Sequence, residues 1–131
     1  MSEYPLFRKI DCLALQVTDL NAAIGFYRQL GHEVLWRTAS AAGLGLPESE
    51  AELVLQTERD GPETDLTVED VPAAVERFVA AGGNVVLDPF DIAIGRCAVV
   101  SDPWGNRLVI LDNSKGHLRT DDAGNVIGVE R

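Results

Sequence analysis

The chain contains two copies of one pattern, and this internal repeat restricts its fold more than any other feature. The segment LQVTDLNAAIGFYRQLGHEVLW, from Leu15, aligns without a gap with LTVEDVPAAVERFVAAGGNVVL, from Leu66, at an offset of 51 residues. The identical pairs are Leu15/Leu66, Val17/Val68, Asp19/Asp70, Ala22/Ala73, Ala23/Ala74, Gly31/Gly82 and Val34/Val85. Self-similarity at a fixed offset predicts that one supersecondary unit is built twice.

Each copy begins with a predicted strand and continues into a predicted helix. Apolar and polar residues alternate from Cys12 to Val17 and from Glu63 to Val68, which is the pattern of a half-buried strand. Asp19 and Asp70 follow, and aspartate is a favoured N-cap residue. The runs after them are amphipathic with helical spacing, so each copy places a helix directly after its first strand.

Three further strands are predicted after each helix. They cover residues 32–38, about 43–46 and 51–57 in the first copy, and 84–88, 96–101 and 107–112 in the second. The predicted class is therefore α+β, with two tandem βαβββ units forming curved mixed sheets around a cleft. Unit one covers about residues 9–57 and unit two about 63–112, within a single domain of residues 1–131.

Turn residues separate these elements. Asp102-Pro103-Trp104-Gly105 predicts a type I turn that joins the last two strands of the second unit. Asp60-Gly61-Pro62 predicts a short linker between the units. The tail from residue 113 to 131 lies outside the repeat, with a predicted turn at 120–125 and an additional strand at 126–129.

Composition argues against several classes of partner. With 11 Lys and Arg against 21 Asp and Glu, the formal charge of −10 disfavours nucleic acid and anionic membrane surfaces. The first residues contain no apolar run long enough for a signal peptide, so we expect a cytoplasmic protein. Cys12 and Cys97 each stand in an apolar segment, which favours reduced, buried thiols over a disulfide.

The alternation within the strands predicts two different sheet faces. A helix packed on one face would cover one set, namely Leu13, Leu15, Leu53, Leu55, Leu66, Leu108 and Ile110. The other face would then present a mixed set that includes Cys12, Gln16, Glu52, Val54, Gln56, Glu63, Asp65, Arg107 and Val109. Such a mixture is typical of a concave ligand site, but an ordinary solvent-facing sheet surface explains the periodicity equally well.

Three segments carry a resemblance to a known family. They are Val-Thr-Asp-Leu-Asn-Ala-Ala-Ile-Gly-Phe-Tyr after the first strand, Gly31-His32-Glu33-Val34 after the helix, and Ser101-Asp102-Pro103-Trp104-Gly105-Asn106-Arg107 before the last strand. The chain resembles the vicinal oxygen chelate superfamily of glyoxalases, bleomycin resistance proteins and extradiol dioxygenases, over about residues 9 to 113. This resemblance implies the fold, whereas the functions in the superfamily are diverse.

The resemblance also locates the positions of metal ligands in metal-dependent members. These positions fall on Cys12 and Glu63 in the first strands of the two units, and on Val54 and Val109 in the last strands. Valine has no lone pair for a cation, so only Cys12 and Glu63, supplemented by Gln56, could coordinate. We therefore expect neither a metal nor another cofactor. His32 and His117, the only histidines, lie outside these positions and are interpreted as solvated or locally hydrogen-bonded.

The first functional hypothesis is the binding of a small organic molecule. Trp36 and Trp104 would provide flat apolar contacts, while Glu52, Glu63 and Asp65 would face a cationic group and Arg107 an anionic one. Each assignment has an ordinary structural alternative. The tryptophans are also explained by packing in a core or turn, and Arg107 by pairing with a surface carboxylate.

The second hypothesis is a metal-independent enzyme of the same superfamily, a lyase, isomerase or dioxygenase-like protein, in which Glu63 acts as a general base. An atypical metal site would be a variant of this hypothesis. A structural or regulatory partner domain is the third interpretation. In all three we expect a homodimer, since members of the family commonly pair and an exposed sheet edge favours pairing.

Overall fold

The chain is arranged as two compact units in a computed structural model that describes residues 4–131. The first unit consists of Asp11–Thr64 and Leu118–Gly128. The second consists of the described residues up to Ile10, of Asp65–His117 and of Val129–Arg131. Each repeat is therefore accompanied by a segment from the opposite end of the chain.

The first repeat forms one helix and a four-stranded mixed sheet. Its elements are β1 (Lys9–Gln16), α1 (Leu20–Gln29), β2 (Val34–Arg37), β3 (Ala41–Leu46) and β4 (Ser49–Gln56). The strands lie in the order β2-β3-β4-β1, where β1 is parallel to β4 and the other neighbours are antiparallel. The predicted β-α-β-β-β order is confirmed in this repeat.

The second repeat has the same architecture. Its elements are β5 (Glu63–Thr67), α2 (Val71–Ala80), β6 (Asn84–Ile92), β7 (Gly95–Ser101) and β8 (Arg107–Leu111). Here the order is β6-β7-β8-β5, with β5 parallel to β8 and antiparallel neighbours elsewhere. The predicted α+β class, with two tandem βαβββ units and mixed sheets, is confirmed. β6 extends four residues beyond the predicted end at Asp88.

Both helices begin at the predicted caps. The carboxylate of Asp19 accepts the backbone N–H of Ala22 at 3.1 Å, and that of Asp70 accepts the N–H of Ala73 at 2.9 Å. Pro72 adds a helix-compatible φ in the first turn of α2. Each helix has ten residues, and none in residues 4–131 is long and apolar enough to cross a membrane.

Each helix packs on one face of its own sheet. The buried core of the first unit contains Leu20, Ile24, Ala42, Leu44 and Leu55, and that of the second contains Val68, Val71, Ala74, Ala98, Val100 and Ile110. Burying one such aliphatic side chain contributes roughly 1.5–3 kcal/mol relative to exposure. The predicted helix-side residues belong to these clusters, except for Leu13, which is 38% exposed.

Two turns with the sequence Asp-x-x-Gly-Asn have the same hydrogen bonds. The first, Asp102–Asn106, joins β7 to β8, and the second, Asp121–Asn125, joins β9 (His117–Thr120) to β10 (Val126–Glu130). In each turn the aspartate accepts the backbone N–H groups two and four residues later, at 2.9 Å. The glycines, Gly105 and Gly124, have φ of 90° and 87°. β10 matches the predicted additional strand, whereas the sequence analysis missed β9.

Candidate functional site

One row of residues crosses the sheet of the first unit on the face opposite α1. From β2 to β1, the neighbouring positions are Trp36, Gly43, Val54 and Ala14. Successive side chains of a strand point to opposite faces, and Leu55, which follows Val54, packs in the α1 core. This row therefore lies on the helix-free face of the first unit, where the sequence predicts ligand contacts.

The indole of Trp36 lies directly over Gly43. A Cβ atom built on Gly43 would overlap Nε1 and Cε2 of Trp36 and would come within 2.6 Å of Oε1 of Glu52. No side chain larger than that of glycine fits while the indole is in this place. Gly43 was not among the predicted site residues, although an isolated glycine inside a strand is a sequence signal of a close approach.

A hydrogen bond fixes the indole to a carboxyl group on the same face. Nε1 of Trp36 donates to Oε1 of Glu52 at 2.7 Å, and both side chains are half-buried. Glu52 stands on β4 directly opposite Cys12 of β1. The sheet register therefore brings Trp36, Glu52 and Cys12, three of the predicted site residues, into one neighbourhood.

Burial raises the pKa of the Glu52 carboxyl above its ordinary value of 4.5. The hydrogen bond from Trp36 lowers this pKa, but the negative charge of Asp11 raises it further, and the net direction is upward. A carboxyl group in partly apolar surroundings holds its proton at a higher pH than in water. Glu52 is thus a group that can exchange a proton with a bound molecule.

The rest of this neighbourhood is apolar. Cys12, Ala14 and Val54 are 4%, 1% and 9% exposed, and Trp36 packs against them. We call these four residues the Trp36 cluster. It combines a flat aromatic ring with small aliphatic groups, and the half-buried carboxyl of Glu52 stands beside it. Sites for small organic molecules are lined mainly by apolar and aromatic side chains with a few polar groups.

The two predicted glutamines have different environments. Gln56 is 3% exposed, and its side-chain oxygen accepts the N–H groups of Glu58 and Arg59 at 2.8 and 2.7 Å. Its side-chain nitrogen donates to the carbonyl of Arg59 at 2.6 Å. Gln56 therefore holds the loop after β4, while its neighbour in register, Gln16, is exposed.

Glu63, the predicted general base, is paired with an arginine. Nε of Arg59 donates to Oε1 of Glu63 at 3.3 Å, and the side chain of Glu63 is 20% exposed. This ion pair joins the loop after β4 to the start of β5 and fixes the orientation of the carboxylate. The role of Glu63 as a base stays a prediction.

The remaining predicted residues belong to the second unit. Asp65 of β5 lies opposite Val109 of β8, and both are half-buried. Arg107 is exposed at the start of β8. Trp104, in the turn before β8, is 84% exposed, so packing in a core or turn does not account for its side chain. Ligand contacts of these four residues stay predictions.

The structure shows the surroundings of the histidines and cysteines within their own units. Nδ1 of His32 lies 3.0 Å from the carbonyl oxygen of Gly45, in line with local hydrogen bonding, and His117 is exposed. Cys12 and Cys97 are buried, and no disulfide forms within residues 4–131. Within the same residues, no group of three or more His, Cys, Asp and Glu side chains could hold a metal ion.

A concavity in the first unit is lined by residues outside the Trp36 cluster. It has a volume of about 450 Å³ and is lined by residues from the α1–β2 and β3–β4 connections, among them His32, Leu35, Gly45, Ser49 and Glu50. The imidazole of His32 is already hydrogen-bonded to Gly45 there. No Trp, Tyr or Phe is among the described residues that line this concavity, so it is the weaker candidate for an aromatic ligand.

Comparisons with known proteins agree on the fold. The model of the Glyoxalase/Bleomycin resistance protein/Dioxygenase superfamily matches residues 9–110. An uncharacterized protein of Mycolicibacterium smegmatis is 32% identical over 106 residues, a match that covers 77% of this chain and 90% of the relative. The relative has a length similar to that of the matched region.

Solved structures of similar fold include enzymes of different activity. Methylmalonyl-CoA epimerase from Mycobacterium tuberculosis superposes with a TM-score of 0.72 at 21% identity, covering 87% of this chain and 93% of the epimerase. The Mn(II)-bound glyoxalase from Novosphingobium aromaticivorans has a TM-score of 0.58 at 17% identity, covering 96% of this chain and 43% of the glyoxalase. At these identities the likeness shows the fold alone.

Proposed function

Because the chain belongs to the Glyoxalase/Bleomycin resistance protein/Dioxygenase superfamily, we propose that it binds a small organic molecule on the helix-free sheet face of its first unit. The observation that carries this proposal is the Trp36 indole, which lies over Gly43 and is hydrogen-bonded to Glu52. A plain solvent-facing sheet surface needs neither a glycine under an indole nor a half-buried carboxyl.

The ligand would use both parts of this arrangement. A flat, conjugated part would contact the exposed portion of the Trp36 indole, which the buried groups of the Trp36 cluster support from behind. A polar or cationic group would reach Oε2 of Glu52, to which the structure shows no hydrogen bond within residues 4–131. Recognition would thus depend on one aromatic contact and one carboxyl contact.

We propose that this function does not use the metal of metal-dependent relatives. The corresponding positions carry Cys12, Val54, Glu63 and Val109, and the two valines have no donor atom. Cys12 packs in the apolar Trp36 cluster, and Glu63 accepts a hydrogen bond from Arg59. Stoichiometric nickel, manganese, zinc or iron retained after dialysis would contradict this part of the proposal.

Tryptophan fluorescence tests the binding site directly, because the chain has two tryptophans in different places. A panel of flat aromatic and cationic compounds is first screened by thermal shift, in which a ligand at 100 times its Kd stabilises by about 2.7 kcal/mol. Each hit is then titrated into Trp104→Phe, which retains Trp36, and into Trp36→Phe, which retains the exposed Trp104.

The two variants give opposite expectations. A hit should quench the fluorescence of Trp104→Phe saturably and should bind Trp36→Phe at least tenfold more weakly. Equal affinity for both variants would place the ligand elsewhere, and an absence of any hit in the panel would count against ligand binding. Native mass spectrometry of the protein as purified provides an independent measurement, since a retained molecule reveals its mass.

A metal-independent enzyme is the second candidate function, and the raised pKa of the half-buried Glu52 favours it. The sequence nominates Glu63 as the base, and the structure adds Glu52. Incorporation of solvent deuterium into a bound hit would reveal proton abstraction, and Glu52→Gln and Glu63→Gln would show which carboxylate performs it. If neither variant slows the exchange, the acid–base proposal is wrong.

We further propose that the protein is a homodimer in the cytoplasm. Its buried thiols without a disulfide suit a reducing compartment, and its charge of −10 disfavours nucleic acid as a partner. Sedimentation equilibrium over a range of protein concentrations measures the oligomeric state.

A further inference from the structure

The two units end in outer strands that are protected in different ways. β2 is the last strand on its side of the first sheet, and β6 is the last strand on its side of the second. An outer strand exposes N–H and C=O groups that can pair with a strand of another molecule. Natural proteins prevent this pairing with prolines, bulges, charges or a covering segment.

β6 carries its own protection. It contains Pro89, which has no N–H to donate, and its register with β7 shifts at two places, between Val85 and Leu87 and between Leu87 and Phe90. The exposed Asp88 adds a negative charge to the same strand, and Asp91 pairs there with Lys115 and Arg96. These features interrupt the flat, regular edge that strand addition requires.

β2 has little protection of this kind. Its sequence is Val-Leu-Trp-Arg, with no proline, one register shift and one charged residue at its end. The side chain of Leu35, in its middle, is 44% exposed. By composition, β2 is therefore the outer strand that another strand would join more readily.

A segment from the C-terminal tail lies on the outer edge of β2. The backbone N–H of Arg37 donates to the carbonyl of Gly124 at 2.9 Å, and Arg37 and Asn125 form a parallel bridge. A Cβ atom built on Gly124 would lie 3.9 Å from the carbonyl oxygens of Val34 and Leu35. The turn between β9 and β10 thus covers the backbone of β2, and Leu118–Gly128 belongs to the first unit.

We propose that Leu118–Gly128 covers the outer edge of β2 and so prevents this edge from pairing with β2 of a second copy of this chain. The Asp102–Asn106 turn supports this assignment by contrast. It has the same internal hydrogen bonds, yet nothing lies within 4 Å of a Cβ atom built on Gly105, the equivalent of Gly124. The turn sequence alone therefore does not explain why the second turn lies against a strand.

The equivalent glycines of the two turns provide a matched pair of variants. Gly124→Val and Gly105→Val each place a β-branched residue at a positive φ, which strains both turns alike. Only Gly124→Val should release the edge of β2. We expect its weight-average mass, from light scattering, to rise above that of the wild type with increasing concentration, while Gly105→Val behaves like the wild type.

Hydrogen exchange measures the contact between Arg37 and Gly124 directly, whether or not copies of the chain associate. The Arg37 amide should be protected in the wild type and should exchange at least tenfold faster in Gly124→Val, but not in Gly105→Val. Adding Leu35→Lys to Gly124→Val places a charge on the freed edge and should restore the wild-type mass.

Several results would overturn the proposal. They are unprotected exchange of the Arg37 amide in the wild type, equal association of the two glycine variants, and association of Gly124→Val that Leu35→Lys does not suppress. If Gly124→Val fails to fold, Asp121→Ala and its counterpart Asp102→Ala are compared instead, since each removes the same two N–H acceptors from its turn.

Discussion

The two repeats have the same strand order but place different side chains at equivalent positions of the helix-free face. In the first, the row across the sheet is Trp36, Gly43, Val54 and Ala14. In the second, the equivalent row is Leu87, Val99, Val109 and Asp65. Only the valines of β4 and β8 are shared. The fold therefore sets the positions, and single residues decide what chemistry each face can perform.

The decisive difference is glycine in one repeat and valine in the other. Gly43 leaves room for an indole that reaches a carboxyl group, whereas Val99 fills the same place in β7. Leu87, the equivalent of Trp36, is 50% exposed. A small residue at the centre of a sheet can thus determine whether an aromatic side chain lies on that sheet.

The largest expected effect comes from Gly43→Val, which gives the first repeat the residue of the second. The new side chain overlaps the indole, so the hydrogen bond from Trp36 to Glu52 should be lost. We expect the free energy of unfolding in urea to fall by about 3 kcal/mol, as for an overpacked core. Gly25→Ala is the control, because nothing lies within 4 Å of its Cβ position. An unchanged Trp36 fluorescence spectrum in Gly43→Val would contradict the overlap.

The second repeat has a feature of its own, a buried carboxylate that accepts several hydrogen bonds. Asp112, 1% exposed, accepts the backbone N–H groups of Val71, Arg96 and Ser114 and the hydroxyl of Ser114. Burial by itself raises the pKa of Asp112, but these hydrogen bonds outweigh it and lower the pKa below 3.8. Asp112→Asn should cost about 2 kcal/mol, since an amide cannot accept all of these bonds.

The pH dependence of this cost follows from the lowered pKa of Asp112. A depressed folded-state pKa contributes stability that is present above the unfolded value of 3.8 and is lost as the pH falls through the folded value. The difference between wild type and Asp112→Asn, measured by urea unfolding, should therefore shrink below pH 3.8. Asp88→Asn, at an exposed position, is the control. A difference that stays constant at low pH would exclude this role.

The smallest expected effect concerns Glu52, where the substitution is expected to stabilise the protein at neutral pH instead of destabilising it. Because burial raises its folded-state pKa above 4.5, the related stability is fully present below pH 4.5 and is lost as the pH rises through the folded value. Glu52→Gln keeps an acceptor for Trp36 without the charge. Its free energy of unfolding should match that of the wild type at low pH and exceed it by about 0.5 kcal/mol at neutral pH. The difference is small because the group is partly exposed and its charge is screened by solvent.

Glu50→Gln, which removes the same charge from an exposed position of β4, serves as the control for this comparison. If Glu52→Gln is less stable than the wild type at neutral pH, the carboxylate contributes more through its contacts than its burial costs. The Trp36 indole N–H resonance, followed by NMR through the same pH range, reports the ionisation of Glu52 without unfolding.

The sequence predicted the fold well because the signals for it are local. The repeat, the aspartate caps and the alternation in the strands are each decided by neighbouring residues, and α1 and α2 begin after the predicted caps. The alternation of side chains along the strands was enough to predict which residues lie on the face opposite each helix. β9 was not predicted because its four residues, His117–Thr120, contain a single apolar side chain and so show no alternation.

The candidate site was predicted only in part because it depends on contacts across strands. Trp36, Glu52 and Cys12 were nominated separately, but the sequence does not show which side chains meet. The overlap with Gly43 requires the register of β2 and β3, which contains a shift between Val34 and Trp36. The loop contacts of Gln56 and the pairing of Glu63 with Arg59 were likewise outside the reach of periodicity.

The membership of Leu118–Gly128 in the first unit has a consequence for biosynthesis. Ribosomes add about 5–20 residues per second, so roughly 3–10 s separate the emergence of the first repeat from that of the segment that covers it. During this interval the nascent first repeat has an uncovered outer strand. On crowded polysomes, the uncovered β2 strands of neighbouring nascent chains would then pair with each other. Slower initiation of translation or a bound chaperone should therefore improve the yield of correctly folded protein.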